Sequence, residues 1–567
     1  GVSMIKSLTS LSDLNMRTGA DILLEVLESE GVEYIFGNPG TTELPLIDAL
    51  LRHENIHYIL ALQESTVVAI ADGYAKASGK TGFINLHTAS GLGHGMGNLI
   101  NSRIMKTPLV VTVGQQDTRH YVRDPLLYDD IVSIGSPVMK WAQEVTSADQ
   151  LPVLVRRAFH AASYPPAGPV LLSLPMNVME ELSDAGIQTP SRVNYHTVAG
   201  SLDELAEALS EIAPGRIMIV AGDEVHSSGS TQEIVELAEA LSAHVYGSSW
   251  PLNLPFPTQH ALWRGNMPTT ASEIASIINA YDAVFIIGGR SLITILYSEG
   301  EAIPATCAVY QLSADMHELG RTYATRLSVM GDIKLSLHEL LPKLKQRLIA
   351  STLAHQRLLV TARDEREKEW QQQEERLAAE RLRPALSPMV AAWEVIRSIP
   401  AGTTIVDEAI ATARHVRRFI SDQQHQRYYF MRGGGLGWGM PAAVGHSLGL
   451  GREPVVCLVG DGASLYSPQA LWTAAHENLP VTFIVMNNRE YNILKNFMKS
   501  QADYSSTRLG RFIGMDLVNP HIDFQSLATA MGVHCCRVTE AADIAEAVTR
   551  GLQSGKTNLI EIAISAD

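Results

Sequence analysis

Cysteine is scarce in this chain, with four in 567 residues. Cys307 and Cys457 sit in apolar, strand-like stretches and Cys535-Cys536 are adjacent. None of these spacings suits a zinc site or a disulfide framework, so a reducing cytoplasm is the expected compartment. No apolar run reaches the roughly 20 residues of a membrane-spanning helix, and no charged-then-apolar leader opens the chain. Basic residues are also in deficit, 44 Lys and Arg against 60 Asp and Glu, a net charge of −16. That balance argues against a nucleic-acid partner, whose phosphates need a basic surface. It leaves room for a small anionic substrate held by a few local groups. Hydrophobic residues at 46% and charged residues at 18% describe a globular chain, and the length implies two to four domains.

Short β-branched runs alternate with helix-period segments, the pattern of parallel α/β sheets. Runs at 32–36, 81–87, 108–114 and 169–175 read as strands of a first block, 217–224 and 283–289 as strands of a second, and 403–408, 454–462, 480–488 and 558–564 as strands of a third. The expected fold is therefore α/β, with three similar-sized doubly wound domains and mainly parallel sheets. Their expected bounds are 17–186, 200–343 and 386–565. The mixed-charge run within 344–385 reads as a solvated helical linker.

The most informative segment is VVCLVGDGASLYSPQALWTAAHENLPVTFIVMNNREY, 455–491. One apolar strand ends in Gly460-Asp461-Gly462 and the next ends in Asn487-Asn488. Neighbouring strands of an α/β unit bring those ends together on the edge where open parallel sheets bind ligands. Asp461 and Asn488 are hard oxygen ligands suited to magnesium. The glycines let main chain approach phosphate, and the following helix N-terminus favours an anion. Alone, Gly-Asp-Gly reads equally well as a tight turn; the paired asparagines change that balance.

This motif, beginning GDG and ending NN, resembles that of thiamine-diphosphate-dependent enzymes. The resemblance implies thiamine diphosphate held by Mg2+ (or Ca2+), with Asp461, Asn488 and the Glu490 main-chain carbonyl as metal ligands. Gly460, Gly462 and Tyr491 join the cofactor-binding set. Ala463 stands where relatives often carry a hydroxyl. The segment ALQESTVVAIADGYA (61–75) resembles the one that carries the activating glutamate, here Glu64. Without the resemblance, Glu64 reads as a surface acid in a first helical turn. The first block becomes a pyrimidine-binding domain and the third a diphosphate- and metal-binding domain. Family architecture puts the two in different subunits, so a dimer or tetramer is expected, with active sites at the subunit interface.

Three further segments resemble benzoylformate decarboxylases. FGNPGTTELP (36–45) carries Thr41 in place of a family serine. FINLHTASGLGHGMGNL (83–99) carries a catalytic histidine, His87. YYFMRGGGLGWGMPAAVG (428–445) supports the cofactor through the Gly434 carbonyl and the apolar wedge Leu436. Phe430, Leu494 and Phe497 match positions around the aryl group. Other positions depart from that pattern: Ile295 replaces a second histidine, Ile410 a small polar residue, Ile493 a small residue, and Arg432 adds a cation that is either ion-paired or directed at substrate. His94, His260 and His476 read as structural. The expected activity is non-oxidative decarboxylation of a hydrophobic (aryl or branched) 2-oxo acid to an aldehyde. The alternative is a carboligase of the acetolactate-synthase or aldehyde-lyase type. Whether the middle block holds a flavin stays open.

Overall fold

The computed structural model describes residues 15–566. Three six-stranded sheets dominate it, and every pairing inside them is parallel. The first sheet runs His57–Leu60, Tyr34–Gly37, Gly82–His87, Leu109–Gln115, Pro169–Pro175, Ala142–Glu144. The second runs Trp263–Asn266, His244–Gly247, Ile217–Ala221, Ala283–Ile287, Ala308–Ser313, Leu327–Met330. The third runs Tyr428–Phe430, Thr404–Glu408, Val455–Gly460, Val481–Asn487, Asn558–Ala563, His534–Val538. The α/β architecture expected from the alternating pattern is the one observed. The central strands are Val-, Ile- and Leu-rich without polar alternation because helices cover both sheet faces.

The three layers are not copies of one another. Numbered along the chain within each sheet, the first and third share the order 2-1-3-4-6-5. The second has the order 3-2-1-4-5-6, that of dinucleotide-binding sheets. The run 217–224 is strand only to Ala221, since helix Asp223–Ser227 starts at once. Between the second and third sheets runs a 30-residue helix, Thr352–Arg381, that buries only His355, Ala362 and Leu377.

The first and third sheets are joined through helices Glu64–Ser78 and Gly439–Gly449. The two run together at backbone distance. A Cβ on Gly73 would lie 2.1 Å from the Ala442 carbonyl oxygen, and one on Gly445 would lie 1.9 Å from that of Ile70. Beside them the Trp438 indole donates to Asp72 (3.1 Å). At the start of the second helix, buried Glu408 accepts from the N–H groups of Gly437, Trp438 and Gly439 at 3.0, 3.1 and 3.0 Å. Burial still pushes its carboxyl up to about 7.

Gly445→Ala should therefore cost about 1–3 kcal/mol or more, the usual scale of overpacking, because the obstacle is main chain that cannot rotate away. Chemical denaturation measures this. An unchanged midpoint would mean the helices separate freely.

Candidate active site

Strand Val455–Gly460 pairs with Val481–Asn487 so that Gly460 lies opposite Met486. Asp461, the next residue, opens a single helical turn, Asp461–Ser464. It is 2% exposed. Its Oδ1 accepts the Asn488 N–H at 3.3 Å, while its Oδ2 is buried without a hydrogen-bond partner. Burial raises its carboxyl to about 6. The two adjacent asparagines have separate tasks. Asn487 donates to Glu561 (2.8 Å), whereas Asn488 lines the cleft and its Oδ1 accepts the Glu490 N–H (3.3 Å). Arg489, between Asn488 and Glu490, takes a positive φ of 61°. A crossing segment braces the turn: Leu517 donates to the Arg489 carbonyl and Tyr491 to that of Met515, both at 2.8 Å. Lys495 holds the Glu490 carboxylate (3.0 Å) and Asp516 (2.6 Å).

The resulting cleft is lined by Gly460, Asp461, Gly462, Ala463, Asn488, Glu490 and Tyr491, with Leu436, Ile410 and Ile493 on its apolar side. A Cβ on Gly460 would meet nothing within 4 Å, so that backbone faces open space. One on Gly462 would lie 2.6 Å from the Tyr491 ring. Among the described residues, no group of three or more His, Cys, Asp or Glu forms a metal site. The donors here are instead one carboxylate, one amide and main-chain carbonyls. That hard, oxygen-only set, with one carboxylate oxygen unsatisfied, fits magnesium or calcium.

A second cluster lies in the first sheet. Glu64 opens its helix, and the Gln63 side chain accepts the N–H groups of Ser65 and Thr66 there. The Glu64 carboxylate lies 3.3 Å from His94 Nδ1. His87 ends strand Gly82–His87, with its Nδ1 2.9 Å from Glu43 Oε1 and 3.0 Å from Thr42 Oγ1. The ring fits because residue 40 is glycine; a Cβ there would lie 2.2 Å from it. The Glu43 carboxylate raises the His87 pKa above its ordinary 6.5. Thr41 is exposed, and Thr42, not Thr41, touches His87. Glu43, Thr42 and His94 were not foreseen as site residues, although all three lie inside the two loops that the sequence singles out. The residues that line the Asp461 cleft do not include Glu64, His87 or Thr41.

The loop between the clusters is pinned by the first block. Asn98 donates to the Gly437 carbonyl (3.2 Å), and Asn101 bonds both the carbonyl and the N–H of Gly435 (2.9 Å each). Gly434 has φ of +86°. Residues 17–146, 202–340 and 410–562 match, in turn, the N-terminal thiamine pyrophosphate binding domain, the central domain and the C-terminal thiamine pyrophosphate binding domain of thiamine pyrophosphate enzymes. The chain belongs to the thiamine pyrophosphate enzyme family. It is 30% identical over 556 residues to a benzoylformate decarboxylase of Pseudomonas aeruginosa, covering 96% of this chain and 99% of that one. It is 26% identical to the acetolactate synthase isozyme 3 large subunit of Escherichia coli, covering 98% and 96%. Among solved structures, the 4-hydroxybenzoylformate decarboxylase of Rhodococcus jostii superposes with a TM-score of 0.84 at 28% identity, covering 97% of this chain and all of that one. The benzoylformate decarboxylase of Polynucleobacter necessarius gives 0.85 at 27%, covering 97% and 99%.

The residues expected to wall a substrate pocket in this thiamine pyrophosphate enzyme are scattered. Ile410 and Ile493 line the cleft. Leu494 is 44% exposed and Phe497 half-buried on the helix that follows. Phe430, at 1% exposure, is a core residue in the chain: its ring packs edge-on to Trp250 at 5.2 Å, with the Arg417 guanidinium 4.7 Å above it. Ile295 is 43% exposed in a loop of the second block, where its N–H donates to Thr269, and it does not line the cleft. Arg432 is buried, and its Nε lies 3.4 Å from Asp223 of the second block. His260 pairs with Glu239 (2.9 Å) and His476 stacks on Trp472 (4.6 Å).

The His87–Glu43 pair has a defined pH signature. A raised histidine pKa contributes stability that is complete below about 6.5 and is lost as pH rises through the folded-state value. Glu43→Gln should move the His87 titration, followed by imidazole NMR, to lower pH, and the matching limb of the kcat/KM profile with it. An unmoved titration would show that Glu43 does not set the charge of His87.

Proposed function

We propose that this enzyme decarboxylates a hydrophobic 2-oxo acid, aryl or branched, to the aldehyde, with thiamine diphosphate and magnesium at sites shared between two copies of the chain. The observation that carries this reading is the makeup of the Asp461 cleft: an apolar wall of Leu436, Ile410 and Ile493, and no cation among the residues that line it. Apart from Asp461, the acid groups at the cleft are committed elsewhere, Glu408 to three N–H groups and Glu490 to Lys495. Arg432 is turned to Asp223, so it does not offer a free charge to a second substrate carboxylate. The benzoylformate decarboxylases among its relatives support the same substrate class.

When bound, thiamine diphosphate supplies a thiazolium carbon that adds to the substrate ketone and accepts the electrons left by departing carbon dioxide. The chain's own residues do the rest. Asp461, Asn488 and the Glu490 carbonyl would hold a divalent metal, whose charge would offset that of the diphosphate. The N–H groups beside Gly460 and Gly462 receive phosphate oxygens. Glu64 holds a proton at the aminopyrimidine nitrogen. His87, kept basic by Glu43, binds the substrate carboxylate or returns a proton to the product carbon, and Thr41 adds a hydroxyl. Leu436 and the Gly434 carbonyl shape the space between the rings. Glu64 is not among the residues that line the Asp461 cleft of its own chain, which fits a working unit of a dimer or a larger assembly of dimers.

A second reading, carboligation to a 2-hydroxy ketone, is favoured by the likeness to acetolactate synthase. A flavin in the second block is disfavoured by what fills its crevice. Beyond strand Ile217–Ala221, half-buried Glu224 accepts from Ser313 (2.6 Å) and the Ala314 N–H (2.8 Å), and Lys106 pairs with Asp315 (2.8 Å). A dinucleotide diphosphate needs N–H donors there, not carboxylates.

Each methylene buried against the apolar wall is worth about 0.8 kcal/mol, roughly a factor of four. Benzoylformate and 4-methyl-2-oxopentanoate should therefore exceed pyruvate in kcat/KM, with ketol appearing when acceptor aldehyde is added. A dicarboxylic 2-oxo acid preferred by the wild type but not by Arg432→Ala would overturn the hydrophobic reading. The shared site has its own test. Asp461→Ala alone should lose cofactor and Glu64→Gln alone should lose about a hundredfold or more in activity. Mixed dimers of the two should regain activity; if they stay inactive, each site is built from one chain.

A further inference from the structure

Away from the Asp461 cleft, a crevice of about 540 Å³ opens where the three blocks meet. Its wall takes Ala77 from the first, His226 and the start of helix Thr231–Leu241 from the second, and Arg427, Tyr429 and His446 from the third. No Asp or Glu lines it, which is unusual for a chain with net charge −16. His446 is 0% exposed, and neither of its ring nitrogens has a hydrogen-bond partner. A buried imidazole without a partner forfeits the hydrogen bonds it makes in water, so such a group in a native protein calls for an unfilled partner. The Tyr429 ring packs on it at 4.4 Å and fixes its place at the crevice wall.

The other groups that line the crevice are basic or neutral, and Glu233 in the first turn of the adjoining helix is paired with Lys334 (4.0 Å). His226 donates through Nε2 to the Gln426 carbonyl (2.7 Å). Arg427 is half-buried and makes no ion pair among the described residues. Helix Thr231–Leu241 presents an N-terminus without a side-chain cap, since the Ser230 hydroxyl is bonded to Ser228 instead. Behind the wall, half-buried Lys76 donates to the Met105 carbonyl (2.6 Å). A guanidinium, an unpartnered imidazole and open helix N–H groups, facing a space with no carboxylate, are a receptor for an oxyanion. The volume suits a small metabolite rather than a lone ion.

We propose that this three-domain crevice binds a small organic anion, whose phosphate or carboxylate is received by Arg427, His446 and the N-terminus of helix Thr231–Leu241. His446 rides on helix Gly439–Gly449, whose start follows the Leu436 loop, and Tyr429 on the strand that leads into that loop. Occupancy therefore ties the three blocks together directly behind the cofactor-supporting loop.

The test uses holoenzyme saturated with thiamine diphosphate and magnesium, so that the diphosphate site is filled. Inorganic phosphate and, separately, succinate are titrated at constant ionic strength by calorimetry, with melting temperature followed in parallel. At least one should bind saturably with a Kd of about 1 mM or tighter, and raise the melting temperature as ligand linkage requires. Phosphate alone would identify a phosphate ester as the ligand, and succinate a carboxylic acid. Arg427→Gln should weaken binding roughly tenfold, the loss of one charge-assisted contact. His446→Phe, which fills the space, should abolish it. Should that buried change prevent folding, the half-exposed Arg427→Gln decides alone. No saturable binding of either anion, or unchanged affinity in Arg427→Gln, overturns the proposal.

Discussion

Main chain against main chain, between helices Glu64–Ser78 and Gly439–Gly449, is the contact on which the rest of this molecule depends. It sets how the first and third sheets face each other, and through them where Glu64 and the 434–437 loop stand. Glycine is the only residue that permits it at positions 73 and 445. Each helix begins at a functional element: one with Glu64, the other just after Leu436. The cost of fixing these elements is met by core packing some distance away, which leaves polar groups free at the sheet edges for ligands.

Buried and half-buried carboxylates show how that freedom is distributed. Glu408 is satisfied by three N–H groups and Glu224 by a hydroxyl and an amide. Asp461 keeps one oxygen with no partner. Leaving such an atom dry costs on the order of 1–3 kcal/mol, a cost that a divalent cation bound there would offset. The neighbouring Asn487 and Asn488 divide in the same way, one bonded inward to Glu561, the other facing the cleft. Adjacent residues with identical side chains thus face opposite ways, one into the core and one into the cleft.

Much of this was legible in the sequence, and the reasons for the gaps are physical. Long apolar strands such as Val455–Gly460 and Val481–Asn487 announce themselves because both faces are buried. Ala142–Glu144 and Tyr428–Phe430, three residues each at sheet edges, are too short to show a period. The Asp461 and Asn488 pairing could be foreseen because strand order alone brings them together. Glu43 on His87, His94 on Glu64 and Asp223 on Arg432 could not, since side-chain meetings between loops carry no periodic signal. Thr41 and Thr42 show the limit most plainly: adjacent and chemically alike, they differ only in which one turns inward. Phe430 likewise reads as a pocket aromatic, yet the chain folds it into the core between Trp250 and Arg417.

The shared strand order of the first and third sheets has a consequence for symmetry. In each, the contacting helix is the one that follows the second strand. Gly73 meets Ala442, three positions before Gly445, and Gly445 meets Ile70, three positions before Gly73. Reciprocal contacts between equivalent residues are the mark of an isologous interface. The chain is, at this junction, a dimer of its own two halves, with the second sheet as an outsider of different strand order. A shift of one helix is therefore transmitted directly to its counterpart, main chain pressing on main chain, although one helix starts at a carboxylate, Glu64, and the other just after an apolar side chain, Leu436.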